Sequence, residues 1–452
     1  MAAKPSAAEV AVTVTPVTLS VAACSGRHVE STETALGAEV HLCINKIMIH
    51  RYPAILQNLK MDYYRYFVPS VVAIGPYHHG ARHLQEAEKI KWSAVCDFCK
   101  NTGHSADEVY WKILPIASGA RSCYEGDAVV GVRKAEFAAM MIRDGCFLLQ
   151  FMAHMCDVAV DPLLQTWFGC KQPSILRDMF MLENQIPWVV LEALMTFMPV
   201  PVPVDNFISN AGASFNVRLD DNINPFDLNE ISCKPHLLGL LRYYQSGLMS
   251  KLGESSWVLK RPEGVTTALR QSSSAIELAE IGIDVVATEA SWFADMKISK
   301  GLLFGKLSLP PLVMDDLNAC WLLNMVALES YLAFTGKNDV QTVSSYISLL
   351  AMLMNRKEEV HELRLKGILH GKFSDKCTLS FLKNLAGLIS LPPQHVCLLA
   401  HLEAYQRKRW MWIPIHKFLY NNYRIIVTVF SVIGVLVGIF KTLVSIEQQM
   451  QL

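Results

Sequence analysis

Charge is scarce in this sequence. Of 452 residues, 41 are Lys or Arg and 41 are Asp or Glu, so charged residues make up 18% and the formal net charge is zero. A chain with no basic surplus has nothing left over to neutralise phosphates, which argues against a general nucleic-acid binder. The hydrophobic share is 52%, whereas a mostly disordered chain needs few apolar residues and a large net charge. The motifs of common catalytic and nucleotide-binding sites are missing too: there is no Walker loop, no G-x-G-x-x-G, no H-E-x-x-H and no G-x-S-x-G. No N-x-Ser/Thr sequon occurs, which fits a non-secretory setting. Residues 1–36 lack the basic start and unbroken apolar stretch of a signal peptide, because Glu9 and Pro16 interrupt them. They are rich in small and hydroxyl residues, as a transit peptide is, but contain no Arg before Arg27. A disordered arm is expected there.

What is present is apolar length at the C-terminal end. Residues 425–440 read IIVTVFSVIGVLVGIF, without a charge. A span needs ~20 apolar residues at ~1.5 Å each. Lys441 can carry its ammonium to the interface on its alkyl stem, which extends the stretch to Ile446. A buried core helix is the competing reading. The flanks favour a membrane: Trp410, Trp412, Tyr420 and Tyr423 precede the stretch as an interfacial belt would. Arg407, Lys408, Arg409, Lys417 and Arg424 precede it and Lys441 alone follows it. The positive-inside rule then places the large N-terminal part in the cytosol, with a short tail at 447–452 across a plasma membrane or endomembrane. Gly434 and Gly438 form G-x-x-x-G with Thr442 one turn on, a face on which two membrane helices can pack as a homodimer. Glycine is also simply common in membrane helices.

Helical periodicity dominates the remainder. Leu84 to Lys100 reads as an amphipathic helix with Trp92, Val95, Cys96 and Cys99 on its apolar stripe. Phe137, Met140, Met141, Leu148, Phe151, Met152 and Met155 form another. Ser174 is placed to cap a third, running from Ile175 to a break at Pro187. Leu317, Trp321, Met325, Leu328 and Leu332 mark a later one. Strand-like alternation is short, with Val68 to Ile74 and Val285 to Ala287 the best stretches. The expected fold is mainly α: a large helical domain with few short strands, plus one C-terminal transmembrane helix. The divisions are a disordered arm at 1–36, a helical domain at 37–424 and the membrane helix at 425–446. Within the domain, halves at 37–195 and 275–410 flank a variable polar middle at 196–274.

Each chemical constellation has a structural reading beside its functional one. Twelve cysteines are scattered along the chain, as reduced cytosolic thiols would be. Cys96 and Cys99 form C-x-x-C with no second ligand pair nearby, so core packing is favoured over zinc or redox chemistry. His78, His79 and His83 cluster, and His79 and His83 could share a helix face, but Gly75, Pro76 and Gly80 make the stretch turn-like. Asp144 falls on an apolar stripe and needs a partner; Arg121 is the candidate. Glu183, Asn184 and Gln185 interrupt an apolar run before Pro187 and can satisfy backbone groups freed by the break. No metal, cofactor or catalytic residue is assigned.

Several stretches resemble the plant domain-of-unknown-function 247 family. VPSVVAIGPYHHG (68–80) is similar to its IGPYHHG opening. AEFAAMMIRDGCFLLQFM (135–152) is similar to its DGCF block, and ILRDMFMLENQIPWVVLEAL (175–194) to its LENQIP block. GLLFGKLSLPPLVMDD (301–316) and NMVALES (324–330) are similar to its later blocks. Matching positions of unknown role are Gly75, Pro76, Tyr77, His78, His79, Gly80, Asp144, Gly145, Cys146, Phe147, Glu183, Asn184, Gln185 and Pro187. Trp188 departs from a frequent Phe, Ser330 departs from a frequent Gln, and 246–274 aligns poorly. The resemblance implies a plant-specific, mostly helical protein with one membrane helix and no established catalysis. Some grass members are implicated in self-incompatibility.

Three functions follow as expectations. The first is a membrane-anchored recognition or signalling protein that contacts an unidentified protein partner through polar loops at 205–235 and 246–274. The second is an enzyme using His78, His79 and His83 or Asp144 and Glu183. The third is a structural membrane tether. Membrane lipid is an expected partner and nucleic acid is not.

Overall fold

Apolar residues recur at helical spacing over most of the chain, and most of the chain is helical. The computed structural model describes residues 48–53, 65–215, 227–231, 234–246, 274–289, 292–301, 304–334, 341–389 and 392–450. The proposed arm at 1–36, residues 216–226 and 232–233 of the 205–235 segment, and nearly all of the 246–274 segment lie outside them. The described start of the middle is not a loop: residues Val204–Ala213 form a helix that buries Phe207 and Ile208.

The first helical layer comprises α1 (Gln85–Thr102), α2 (Ala106–Ala120), α3 (Lys134–Met155), α4 (Pro162–Met179) and α5 (Trp188–Met195). Helix α2 opens on a capping box: Ser105 Oγ accepts from the Glu108 amide and the Glu108 carboxylate accepts from the Ser105 amide. Helix α3 is buried along most of its length, from Phe137 through Ala153, and is the post around which α1, α2, α4 and α5 pack.

Two of these helices correct the sequence reading. In α1 the buried residues are Ala87, Lys91, Ala94, Val95, Asp97 and Phe98, whereas Trp92 and Cys96 are exposed. A lysine on the inward face disguised the phase. Helix α4 starts at Pro162, with Asp161 as its cap, and runs through Pro173 and Ser174 to Met179. Ser174 is therefore mid-helix, and residues 180–187 form an irregular turn.

Next come α6 (Val204–Ala213), α7 (Leu237–Ser246) and α8 (Ala275–Glu280). Strands β1 (Ile283–Ala287), β2 (Lys297–Lys300) and β3 (Gly305–Leu309) form a sheet in the order β1-β3-β2. Strand β1 runs parallel to β3, with Ile283 opposite Gly305; β2 runs antiparallel to it, with Lys300 opposite Gly305. Ile283 and Val285 turn into the core while Asp284 faces out. The short strands β4 (Leu312–Val313) and β5 (Leu369–His370) pair in parallel.

Helix α9 (Asp316–Phe334) follows. Every residue from Asn318 to Glu329 is buried, as in a helix surrounded on all sides. Helix α10 (Thr342–Leu353) packs on it, α12 (Asp375–Ala386) and α13 (Pro393–Lys408) pack on α10, α11 (Lys357–Leu365) packs on α12 and beside β5, and α13 also meets β2. One apolar cluster runs from Ile49 to Tyr405 and draws on all these layers.

The final helix, α14 (Trp412–Met450), is of another kind. Its segment Asn421–Leu443 has a mean hydropathy of 2.3 and is not buried against the protein at all. Among the described residues it is the one helix long and apolar enough to cross a membrane.

Candidate functional site

The segment from Ser70 to Gly75 is irregular, bent at Ser70, Val71 and Gly75, and has no strand partner. Its backbone is held by side chains instead. The amides of Ser70, Val71 and Val72 all donate to Oδ2 of Asp178, at 2.9, 2.7 and 3.1 Å. The Ile74 amide donates to Asn184 Oδ1 at 2.6 Å, and Asn184 Nδ2 donates back to the Val72 carbonyl at 3.0 Å. The Gly75 amide donates to Asp144 Oδ2 at 2.8 Å. Val68 to Ile74 thus carries strand-like residues, but buried carboxylates and amides take the place of a neighbouring strand.

Lys91 closes this brace. Its ammonium is fully buried and meets the Ala73 carbonyl at 2.5 Å, Glu88 Oε1 at 2.5 Å and Asp144 Oδ1 at 2.6 Å. All three ammonium protons therefore have acceptors. Arg121, the partner expected for Asp144, turns instead to the Val129 carbonyl and the Phe137 ring. Arg121 follows α2, whereas Lys91 sits on the face of α1 that packs on α3. Burial pushes the Asp144 carboxyl up, against the pull of Lys91 and the Gly75 amide. Asp178 is likewise pushed up by burial, and its three amides oppose that shift.

The remaining motif positions tighten the same unit. Gln185 Nε2 donates to the Met179 and Met181 carbonyls at 2.6 and 2.9 Å, and its Oε1 accepts from the Leu238 amide at 3.1 Å. Gly75 has φ +75°, and a Cβ there would clash with the Gln185 carbonyl oxygen. A Cβ on Gly145 would clash with Leu194, so this glycine sets the close approach of α3 to α5. Cys146 and Phe147 are fully buried. Pro187 caps the start of α5. Pro76 and Gly80 shape the turn between them, in which the His79 amide donates to the Pro76 carbonyl at 3.3 Å.

At the rim of this unit a second, partly exposed polar cluster assembles from distant segments. Glu183 Oε1 accepts from the Tyr52 amide at 2.7 Å. Its Oε2 faces His78 Nε2 at 3.7 Å and Arg51 at 3.9 Å. Arg51 also bonds Asp127 at 2.7 Å and lies over the Tyr77 ring. The Tyr77 hydroxyl donates to the Ile49 carbonyl at 3.0 Å. His50 stacks on Tyr331 with centroids 4.1 Å apart and meets Glu125 at 3.3 Å. Burial lowers His78 to about 4, with Arg51 and His83 adding to the effect. Burial pushes the Glu183 carboxyl up. Both shifts favour the uncharged forms, so this pair is poorly suited to act as an ion pair.

Comparison with known proteins gives this arrangement its context. Residues 49–437 match the domain-of-unknown-function 247 family, described as "Plant protein of unknown function". The chain belongs to that family. UPF0481 protein At3g47200 of Arabidopsis thaliana is 26% identical over 319 residues, covering 66% of this chain and 64% of that protein. UPF0481 protein At3g02645 of the same plant is 29% identical over 133 residues, covering 29% of this chain and 24% of that protein. The chain therefore spans less than two thirds of the length of these relatives. No solved structure matches it.

In this family member, then, the quoted motifs converge. His78 and Glu183 meet at the rim, whereas Asp144 is sealed in the brace with both oxygens occupied. His79 and His83 do not form a helical i, i+4 pair: His79 lies in the turn, and His83 Nε2 lies 3.0 Å from the Pro69 carbonyl. Among the described residues no group of three or more His, Cys, Asp or Glu is arranged to hold a metal ion. The described cysteines, Cys96 and Cys99 included, are free thiols.

Asp178, Lys91, Arg51 and Glu125 were not singled out from the sequence. Asp178 lies inside the quoted 175–194 block, and a lysine at the inward register of α1 was the available signal for Lys91. Arg51 and Glu125 carry no local pattern. Asn324 and Glu329, in the 324–330 block, also brace the core. Asn324 Oδ1 accepts from the Leu182 amide at 2.6 Å. Glu329 pairs with Arg242 at 3.2 Å and accepts from the Val343 and Ser344 amides at the start of α10.

Proposed function

We propose that this chain is a membrane-anchored recognition protein, acting through protein–protein contacts and not through catalysis. The observation that carries the reading is Asn421–Leu443, an apolar segment as long as a bilayer span and wholly unburied against the body. The braced motif core supports the second half. Asp144, Asp178, Asn184 and Gln185 spend their polar atoms on backbone and partners inside the fold. They stiffen a platform, and neither Asp144 nor Asp178 is left free to move a proton to a bound substrate.

The contact surface assigned here is the rim: Arg51, Asp127 and Glu125, with His50 and His78 beneath. It is polar, partly exposed and built from segments the brace holds in register, as a specific rather than a merely tethering surface requires. Self-incompatibility-type recognition is one use of such a surface, in line with the grass members of the family. The excess of positive charge before the span supports a body on the cytosolic side. A homodimer contact is assigned to Gly434, Gly438 and Thr442, where an added Cβ on either glycine meets nothing and the Thr442 hydroxyl is satisfied by the Gly438 carbonyl at 2.9 Å.

The test is photo-crosslinking in intact plant membranes, with a benzophenone amino acid at position 51 or 127. A discrete protein adduct that disappears in a Glu125→Lys background is expected. A carbonate-resistant chain that forms no adduct at either position contradicts recognition through the rim. Release of the chain by carbonate contradicts the anchor.

A further inference from the structure

The start of α14 does not hang free of the body. Lys417 Nζ pairs with Glu280 Oε2 at 2.8 Å, and His416 Nδ1 lies 3.0 Å from the Glu280 carbonyl. The His416 ring meets the Phe304 ring edge-on at 5.2 Å. One residue row back, the Arg409 guanidinium donates to the Gly301 carbonyl at 2.6 Å. Gly301 and Phe304 close the turn between β2 and β3, the Gly301 amide donating to the Phe304 carbonyl at 2.9 Å. In the sequence two leucines separate them, outside the described residues.

These contacts fix the depth of the body. From Lys417 to Ile425, where the uncharged stretch begins, a helix rises about 12 Å. The headgroup layer on one side of a bilayer is about 5–7 Å thick. A body clamped at His416 and Lys417 is therefore held within about 5–7 Å of the headgroup layer, without a long stalk.

The surface there is also unlike the rest of the molecule. Phe304 is 53% exposed and Trp410 is 68% exposed, with Met411, Trp412 and Phe418 exposed beside them. Arg407, Lys408 and Lys417 stand exposed among these apolar groups. The acidic side chains that act on these basic groups are Glu403, paired with Arg407, Glu280, paired with Lys417, and Glu277, which accepts from the Ser274 amide and also attracts Lys417. Exposed aromatic groups mixed with basic ones suit an anionic bilayer surface: the rings sit at headgroup depth and the cations meet lipid phosphates. The patch is continuous with the span, so the bilayer is already beside it.

We infer that the β2–β3 turn at Phe304 and the α13–α14 corner at Trp410 form a second membrane contact, which lays the body on an anionic leaflet. This rests on the anchored reading and adds an orientation to it. The partner-facing rim is then held at a fixed attitude to the bilayer.

The test uses the full chain reconstituted in vesicles, with a benzophenone amino acid at position 304, at 410 or, as a control on α2, at exposed Trp111. Covalent phospholipid adducts are expected at 304 and 410 and not at 111. Replacing anionic by neutral vesicles is expected to cut the adduct at 304 about fivefold, the factor set by the attraction of one basic residue to an anionic leaflet. Carbonate-resistant chain without a lipid adduct at 304 overturns the inference while leaving the anchor intact. A chain-to-chain adduct at 304 in place of lipid also overturns it and makes the patch a protein interface. Release of the chain by carbonate removes the anchored reading itself.

Discussion

Asp178 shows how much one side chain can hold. Three backbone amides converge on one of its oxygens, and a buried amide left without an acceptor costs about 1–3 kcal/mol. Val72 is buried, whereas Val71 is half-buried and Ser70 exposed to water, so Asp178→Ala is expected to cost roughly 1–3 kcal/mol, read as a lowered unfolding midpoint in detergent; an unchanged midpoint would show that the amides find other acceptors. Lys91→Met leaves Asp144 and Glu88 facing a buried apolar group, with an expected loss of about 3–5 kcal/mol. Adding Asp144→Leu to Lys91→Met should restore part of that loss, because removing both charges removes the unpaired one. His236 gives a pH-dependent counterpart. Its Nδ1 accepts from the Gly239 amide at 3.3 Å, which requires a neutral ring, and burial lowers it to about 3. The unfolded chain protonates this ring below about 6.5 while the folded chain resists. Its contribution is then complete above pH 6.5 and is lost as the pH falls toward 3. Relative to wild type, His236→Asn should retain the cap but flatten the fall in stability between pH 6.5 and 4; parallel curves would refute this. At this scale the sequence was legible in part. The motif residues stood out, and their structural role was the favoured reading. Their partners Lys91, Arg51 and Tyr52 are 53, 132 and 131 residues from Asp144 and Glu183, and no local pattern announces a contact across that distance.

Elements were easier to read than their phases. The stripe on α3 was visible because almost every residue on that helix is apolar and buried. That on α1 reads out of phase because its inward face includes Lys91, while Trp92 lies outside under the Arg143 guanidinium. The start of α4 was missed because Pro173 reads as a break, yet the helix passes through it. The cap of α10 was not legible at all, since it is supplied by Glu329 from another helix. The apolar part of α14 was the plainest signal in the chain. Replacing Val435 and Leu436 by lysine puts two charges near its centre, at about 2.5–3.5 kcal/mol each for insertion. This double variant should pass from the carbonate-resistant to the soluble fraction. If it stays in the pellet, this helix is not what holds the chain in the membrane.

At the scale of the whole molecule, the two helical halves meet in one apolar cluster. Asn324 and Glu329 on α9 join that core to the segments before it, through the Leu182 amide and Arg242. A rigid body of this kind would carry the attitude of α14 to the proposed contact rim. Sidedness is the property on which this account depends most. The direct measurement is protease protection of sealed vesicles carrying the full chain with an N-terminal tag. If the body faces the cytosol, the tag and the body are digested without detergent, and that is the expected result. Survival of the tag until detergent is added would contradict it, and would put the rim where only a luminal or extracellular partner can reach.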